Sequence, residues 1–167
     1  MGTDIHIEVV VKGAKGKFLR AAPPPTWLWE ESDFMADYSS YVTKASWPSI
    51  RSYSVFGKFA DGIRGEYGKG PKQRGLPEWI MNVWLGRGKQ VTRDPDYKEP
   101  MPLEMNLGDH SFSWLTAQEF LETDWRERDD DGKVYLQWPA LLLEPYIETL
   151  AGIFGEENVF LVFGFDS

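Results

Sequence analysis

The sequence predicts an α+β fold in a single compact domain spanning residues 1–167, and three observations carry that prediction. An apolar, β-branched run opens the chain at Ile5-His6-Ile7-Glu8-Val9-Val10-Val11. A second run, Val159-Phe160-Leu161-Val162-Phe163-Gly164-Phe165, is almost unbroken, as in a strand buried on both faces. Between them, Leu142, Leu143, Tyr146, Ile147, Leu150 and Phe154 recur at the spacing of a helix. The expected architecture is a mixed or antiparallel sheet with the N- and C-terminal strands as neighbours, packed by about three helices with long loops.

The first strand, Thr3 to Lys12, runs into Gly13-Ala14-Lys15-Gly16, whose glycines permit a tight reversal, and Lys17 to Arg20 returns beside it as a hairpin. Pro23-Pro24-Pro25 removes three backbone donors and stops regular structure ahead of an aromatic-rich loop, Trp27 to Tyr41. Ile50, Tyr53, Phe56, Phe59, Ala60 and Ile63 form a helical stripe with Pro48 near its start. The glycine and proline density between Gly65 and Pro102 favours turns, with one short helix from Pro77 to Leu85. Thr116 and Glu119 have the spacing of a reciprocal capping box, so a helix starts after Thr116 and fades by Arg128. Asp129-Asp130-Asp131-Gly132 reads as a charged turn, because it lacks the alternating ligands and closing Glu of a calcium loop. Pro139 opens the long helix and Gly155 closes it.

At 42% hydrophobic and 15% aromatic residues, the chain has the apolar surface to offset the entropy of ordering. A net charge of -8 opposes attraction to phosphate backbones, so non-specific nucleic-acid binding is disfavoured while a local basic pocket stays open. With no cysteine, thiolate catalysis and thiolate metal sites are excluded, and a metal site would need N and O ligands. No stretch approaches the ~20 apolar residues of a membrane span, and the first residues lack the pattern of a signal peptide. A cytoplasmic location and no membrane partner follow as expectations. Nucleophile-elbow, zinc-protease and dinucleotide fingerprints are missing, and Gly13 to Lys17 lacks the spacing of a phosphate loop.

Successive strand side chains alternate, so Asp4, His6 and Glu8 share one face of the first strand. Glu8 is expected to be exposed. Asp4 and His6 leave the same face and can either hold a divalent ion together or fix one imidazole by a carboxylate. The second of the chain's two histidines, His110, also stands beside an acid, Asp109, in the stretch before the capped helix. A loop folding over the strand would let His6 and His110 act as an acid/base pair. Ser111 and Ser113 serve either that site or the helix entry. Arg51 and Arg64 flank the helical stripe, and Arg74 begins Arg74-Gly75-Leu76-Pro77, where a fixed guanidinium suits a carboxylate or phosphate. Structural imidazoles and surface ion pairs are the alternatives for each. The tryptophans are expected mostly to pack.

Gly2-Thr3-Asp4-Ile5-His6, Arg51-x-Tyr53-x-x-Phe56 with Ala60 and Arg64, Arg74-Gly75-Leu76-Pro77, His110-Ser111-x-Ser113-x-Leu115-Thr116-x-x-Glu119 and Val162-Phe163-Gly164-Phe165-Asp166 together resemble a family of small bacteriophage and prophage proteins of uncharacterised activity. The resemblance is collinear over nearly the whole chain. Family members usually begin Gly-Cys-Asp-Ile-His, so Thr3 departs from the pattern and argues against an essential thiol there. The resemblance implies a virus-encoded protein acting in the bacterial host cytoplasm. It marks Asp4, His6, Arg51, Arg64, Arg74, His110, Ser111, Ser113 and Asp166 as the family's recurring polar residues.

Three functions are compatible with these residues. The first is a pocket for a small anionic, nucleotide-like ligand, in which Arg51, Arg64 and Arg74 hold charge and Ser111, Ser113 and Asp166 line the site, used by a phage against host defence signalling. The second is a hydrolase of a phosphodiester or nucleotide, with His6, His110 and Asp4 as acid/base groups or metal ligands; whether a cofactor or metal is bound stays open. The third is an inhibitor that docks a host protein through Trp27 to Tyr41.

Overall fold

The computed structural model describes residues 5–21, 56–57, 72–84, 101–102, 105, 107–123, 126–128, 131–136 and 138–166. A four-stranded antiparallel sheet is built from β1 (Ile5–Lys12), β2 (Phe18–Arg20), β3 (His110–Thr116) and β6 (Val159–Phe165), in the order β2-β1-β6-β3. The two terminal strands are neighbours, as the sequence predicts, and pair over their whole length from Ile5 opposite Phe165 to Val11 opposite Val159. A β-branched or aromatic residue at nearly every position suits β6 to this inner place, where both faces are covered.

Alternation then assigns the two faces. Ile5, Ile7, Val9 and Val11 join Leu161, Phe163, Phe165 and Leu115 in one cluster, closed by Phe120 of helix α1 (Ala117–Glu122) and by Leu143, Ile147 and Ala151 of helix α2 (Trp138–Phe154). On the other face, Val10, Val162 and Phe112 pack against Ile80, Val83, Met101, Met105 and Leu107. The helices thus cover one side and irregular chain the other. On that loop side Phe18 stacks on Trp79 at 4.5 Å, Trp79 meets Phe160 at 5.0 Å, and Trp114 meets Phe160 edge-on. These tryptophans pack, as expected.

Helix α1 begins where the sequence places it. Thr116 Oγ1 accepts from the Glu119 amide at 3.2 Å, and the Thr116 amide donates to Glu119 Oε2 at 3.0 Å. Replacing Thr116 by alanine should cost about 1 kcal/mol, a fall of roughly 2–4 °C in Tm, which thermal unfolding would read directly.

Several elements differ from expectation. His110 to Thr116 is strand β3 and not a loop before the helix, because Phe112 and Trp114 pack on the loop side while Leu115 packs beneath the helices. Helix α1 stops at Glu122 and does not run toward Arg128: Thr123 is extended and its hydroxyl donates to the Glu119 carbonyl. Beyond it, β4 (Arg126–Arg128) and β5 (Val134–Leu136) form a separate hairpin, joined through the acidic stretch that ends in Gly132 at φ 78°. The short helix after Pro77 is a 3-10 helix, Glu78–Asn82. Among the described residues there are two α-helices where about three were expected. The stripe from Ile50 to Ile63, apart from Phe56 and Gly57, and the loop from Trp27 to Tyr41 lie outside the described residues.

Candidate functional site

The polar face of β1 holds two different arrangements. His6 stands opposite Gly164 of β6, and Asp166, just past the strand end, places Oδ2 2.8 Å from His6 Nε2. The imidazole is mostly covered, at 17% exposure, and the carboxylate is open, at 41%. An ionised carboxylate only accepts, so Nε2 donates and the ring's tautomer and orientation are set. Among the described residues only Nε2 of this ring has a hydrogen-bond partner, so Nδ1 is the nitrogen that could meet a ligand.

Glu8 departs from expectation. It is buried, not exposed, and Arg20 Nε and Nη2 each donate to its carboxylate at 2.7 Å. Burial is the larger influence and outweighs the arginine's pull, so the Glu8 carboxyl is pushed up to about 7. The hairpin explains the pairing: Arg20 sits opposite Val10, two residues along β1 from Glu8 and on the same face. A glutamate inside an apolar strand, with an arginine at the mirrored place on the returning strand, was the signal available in the sequence.

Two glycines shape the end of the sheet beside His6. A Cβ on Gly164 would lie 2.1 Å from the Leu107 carbonyl oxygen and 2.6 Å from the Phe112 ring. One on Gly108, which has φ 77°, would lie 2.4 Å from the Phe165 carbonyl oxygen. The chain from Leu107 to Asp109 therefore crosses directly over the end of β6, pinned by the Asp109 amide donating to Phe165 O at 2.8 Å. Only glycine allows this approach of backbone to backbone.

The same crossing disturbs β3. His110 pairs with Phe165 and Ser113 with Phe163, so Ser111 and Phe112 together face Gly164 in a bulge. Ser111 takes φ 54°, a left-handed conformation that few side-chain-bearing residues adopt. Its Oγ lies 2.9 Å from His110 Nδ1. The other ring nitrogen, Nε2, is 3.8 Å from Asp109 Oδ1, and the ring stacks on Phe165 with a 17° interplanar angle.

The two histidines share one end of the sheet without converging. They flank β6 from its two neighbours, roughly 10 Å apart at two strand spacings. His6 sits beside Gly164 on the loop side, whereas His110 lies against Phe165, whose ring belongs to the helix side. Arg74 and Ser113 form a third group further along β3. Arg74 donates to both oxygens of Glu119 and to the Trp114 carbonyl, its guanidinium covers the Trp114 ring at 4.6 Å, and its amide donates to Ser113 Oγ at 3.1 Å. The Arg74 hydrogen bonds hold the Glu119 carboxyl below the ordinary carboxylate range. Arg74 is thus brought to the start of α1 and not to either histidine. Asp4, Arg51 and Arg64 lie outside the described residues.

The chain matches no family model, no curated protein and no solved structure. Its site is therefore argued from its own residues. Among the described residues no three His, Asp or Glu side chains converge as metal ligands, and no helix is long and apolar enough to cross a membrane.

Proposed function

We propose that the protein binds a small anionic, nucleotide-like ligand at the end of the sheet around His6 and Asp166. The observation that carries this reading is a mostly covered imidazole held at 2.8 Å by an open carboxylate. Such a ring meets its ligand in one tautomer and one orientation. In this reading His110 and Ser111, on the other flank of β6, are not part of the ligand contact, and Arg51 and Arg64, outside the described residues, are the candidates for positive charge. Arg74 and Ser113 act through the corner of β3 and α1 that they hold. The resemblance to phage proteins supports a virus-encoded role in the bacterial cytoplasm, with a host signalling nucleotide as the ligand to be taken up.

A thermal-shift screen of mononucleotides, cyclic dinucleotides and inorganic phosphate tests this, since a ligand bound only by the folded state stabilises it by about 2.7 kcal/mol at a hundredfold excess over Kd. The expected result is a rise in Tm that His6→Ala and Asp166→Asn abolish and Arg74→Ala leaves in place. A shift that survives His6→Ala, or no shift with any of these compounds, would overturn the reading. A carboxylate-oriented imidazole is also the form of a general base, which favours hydrolysis of the ligand as the second reading. Turnover of the bound nucleotide in the presence of a chelator would select it.

A further inference from the structure

Asp109, His110 and Ser111 are consecutive, and on a regular strand their side chains would alternate faces and could not meet. Here they do. The bulge opposite Gly164 and the left-handed Ser111 backbone bring Oγ within 2.9 Å of His110 Nδ1. With Nδ1 accepting from the hydroxyl, the ring proton resides on Nε2, which faces Asp109 Oδ1 across 3.8 Å. That distance is longer than a hydrogen bond, so the carboxylate acts on the ring from nearby without being bonded to it. Phe165 backs one face of the ring, while 40% of the side chain stays exposed, so a substrate can reach it.

We propose that Ser111 is a nucleophile, activated by His110 and oriented through Asp109, that takes an acyl group from a carboxylic ester and passes it to water. The relation of hydroxyl, base and orienting acid is the general one for an activated serine. Strain at a non-glycine residue that the surrounding packing enforces is also a feature of functional positions. The Leu107 carbonyl and the Phe112 ring occupy the space over Gly164 and hold the bulge in place. Asp109 puts negative charge beside the pair, which repels a phosphate ester and tolerates a neutral acyl group.

In the first half-reaction Oγ bonds to the carbonyl carbon as its proton moves to Nδ1 and the carbonyl electron pair moves onto oxygen. Collapse breaks the bond to the alcohol, which leaves with the proton from Nδ1. Water then attacks the serine ester and gives its proton to Nδ1. The carboxylic acid departs as Oγ recovers a proton.

The proposal does not depend on ligand binding at His6. Incubation of the full chain with a fluorophosphonate, in which an Oγ–P bond forms and fluoride leaves, followed by peptide mass mapping, tests it. The expected result is a single adduct on Ser111. The rate should fall about 100-fold in His110→Ala, about tenfold in Asp109→Asn, and remain unchanged in Thr149→Ala on the exposed side of α2. Mapping on the wild-type chain decides the matter even where a variant fails to fold. Absence of a Ser111 adduct between pH 6 and 9 on folded protein, or equal labelling of His110→Ala, would overturn it.

Discussion

Replacing Arg20 by alanine should cost about 3–5 kcal/mol of folding stability at pH 8, a fall of about 10 °C in Tm. Arg20 supplies both donors to a carboxylate that is only 3% exposed. Without it, the folded chain must bury a bare negative charge or bind a proton against the solution pH. The pH dependence identifies the mechanism. The folded Glu8 carboxyl titrates at about 7 against 4.5 for its ordinary value. Between those limits the folded state holds a proton that the unfolded state has released. Glu8's contribution is therefore fully present below pH 4.5 and is lost as pH rises to 7. Wild-type stability should fall across that window by on the order of 3 kcal/mol. Glu8→Gln should remove the slope, and Arg20→Ala should be far less harmful at pH 5 than at pH 8. Burial first, and then the Glu8 charge, push the Tyr146 phenol up to about 12, so this carboxylate is felt by helix α2 as well. Urea unfolding of the three proteins at pH 5, 6, 7 and 8 measures all of this. An Arg20→Ala chain within 1 kcal/mol of wild type at pH 8 would mean that the pair does not hold the hairpin.

Gly164→Ala is the second large effect. A methyl group there meets the Leu107 carbonyl at 2.1 Å and the Phe112 ring at 2.6 Å, while the hydrogen bond from the Asp109 amide to Phe165 O prevents the crossing chain from lifting freely. One of the two must move. A clash with backbone sits at the severe end of overpacking, so a loss of about 3 kcal/mol or more is expected. Because the crossing also shapes the bulge, the variant should lose labelling at Ser111 together with stability. A Gly164→Ala protein that melts within 2 °C of wild type would contradict the close approach of Leu107.

The sequence was most informative where one physical signal acted alone. The β-branched runs at Ile5 and Val159, the glycines of the first turn, the capping box at Thr116 and the stripe ending at Phe154 each matched an element. Strand β3 was hidden because His-Ser-Phe-Ser-Trp-Leu-Thr runs without a break into a helix start, and its bulge interrupts the alternation that marks a strand. The β4–β5 hairpin has three residues per strand, too few for a period to register, although its Asp-Gly was a turn signal. For the site, the residues pointed to His6 and to His110 with its neighbours Asp109 and Ser111, and the family resemblance pointed to Asp166, but nothing joined His6 to Asp166. His6 with Asp166 depends on the β1–β6 register, and His110 with Ser111 depends on a glycine more than fifty positions away along the chain. Neither relation is local. Arg74 looked like a fixed guanidinium awaiting an anion, and the anion it meets is Glu119.

The pairing of β1 with β6 also sets the order in which the molecule can be made. His6 and Asp166 are 160 residues apart, and every contact between their strands closes a loop of nearly that length. At 5–20 residues per second of synthesis, β1 spends roughly 10–30 s in the cell before its partner has been made. Through that interval, among the described residues, the only strand made that pairs with β1 is the short β2. During that wait a sticky ribbon is open to any other strand edge it meets. The nascent chain is thus more exposed to aggregation and to capture by chaperones than the finished protein. The same sheet that protects these residues once complete cannot begin to do so until β6 has been added.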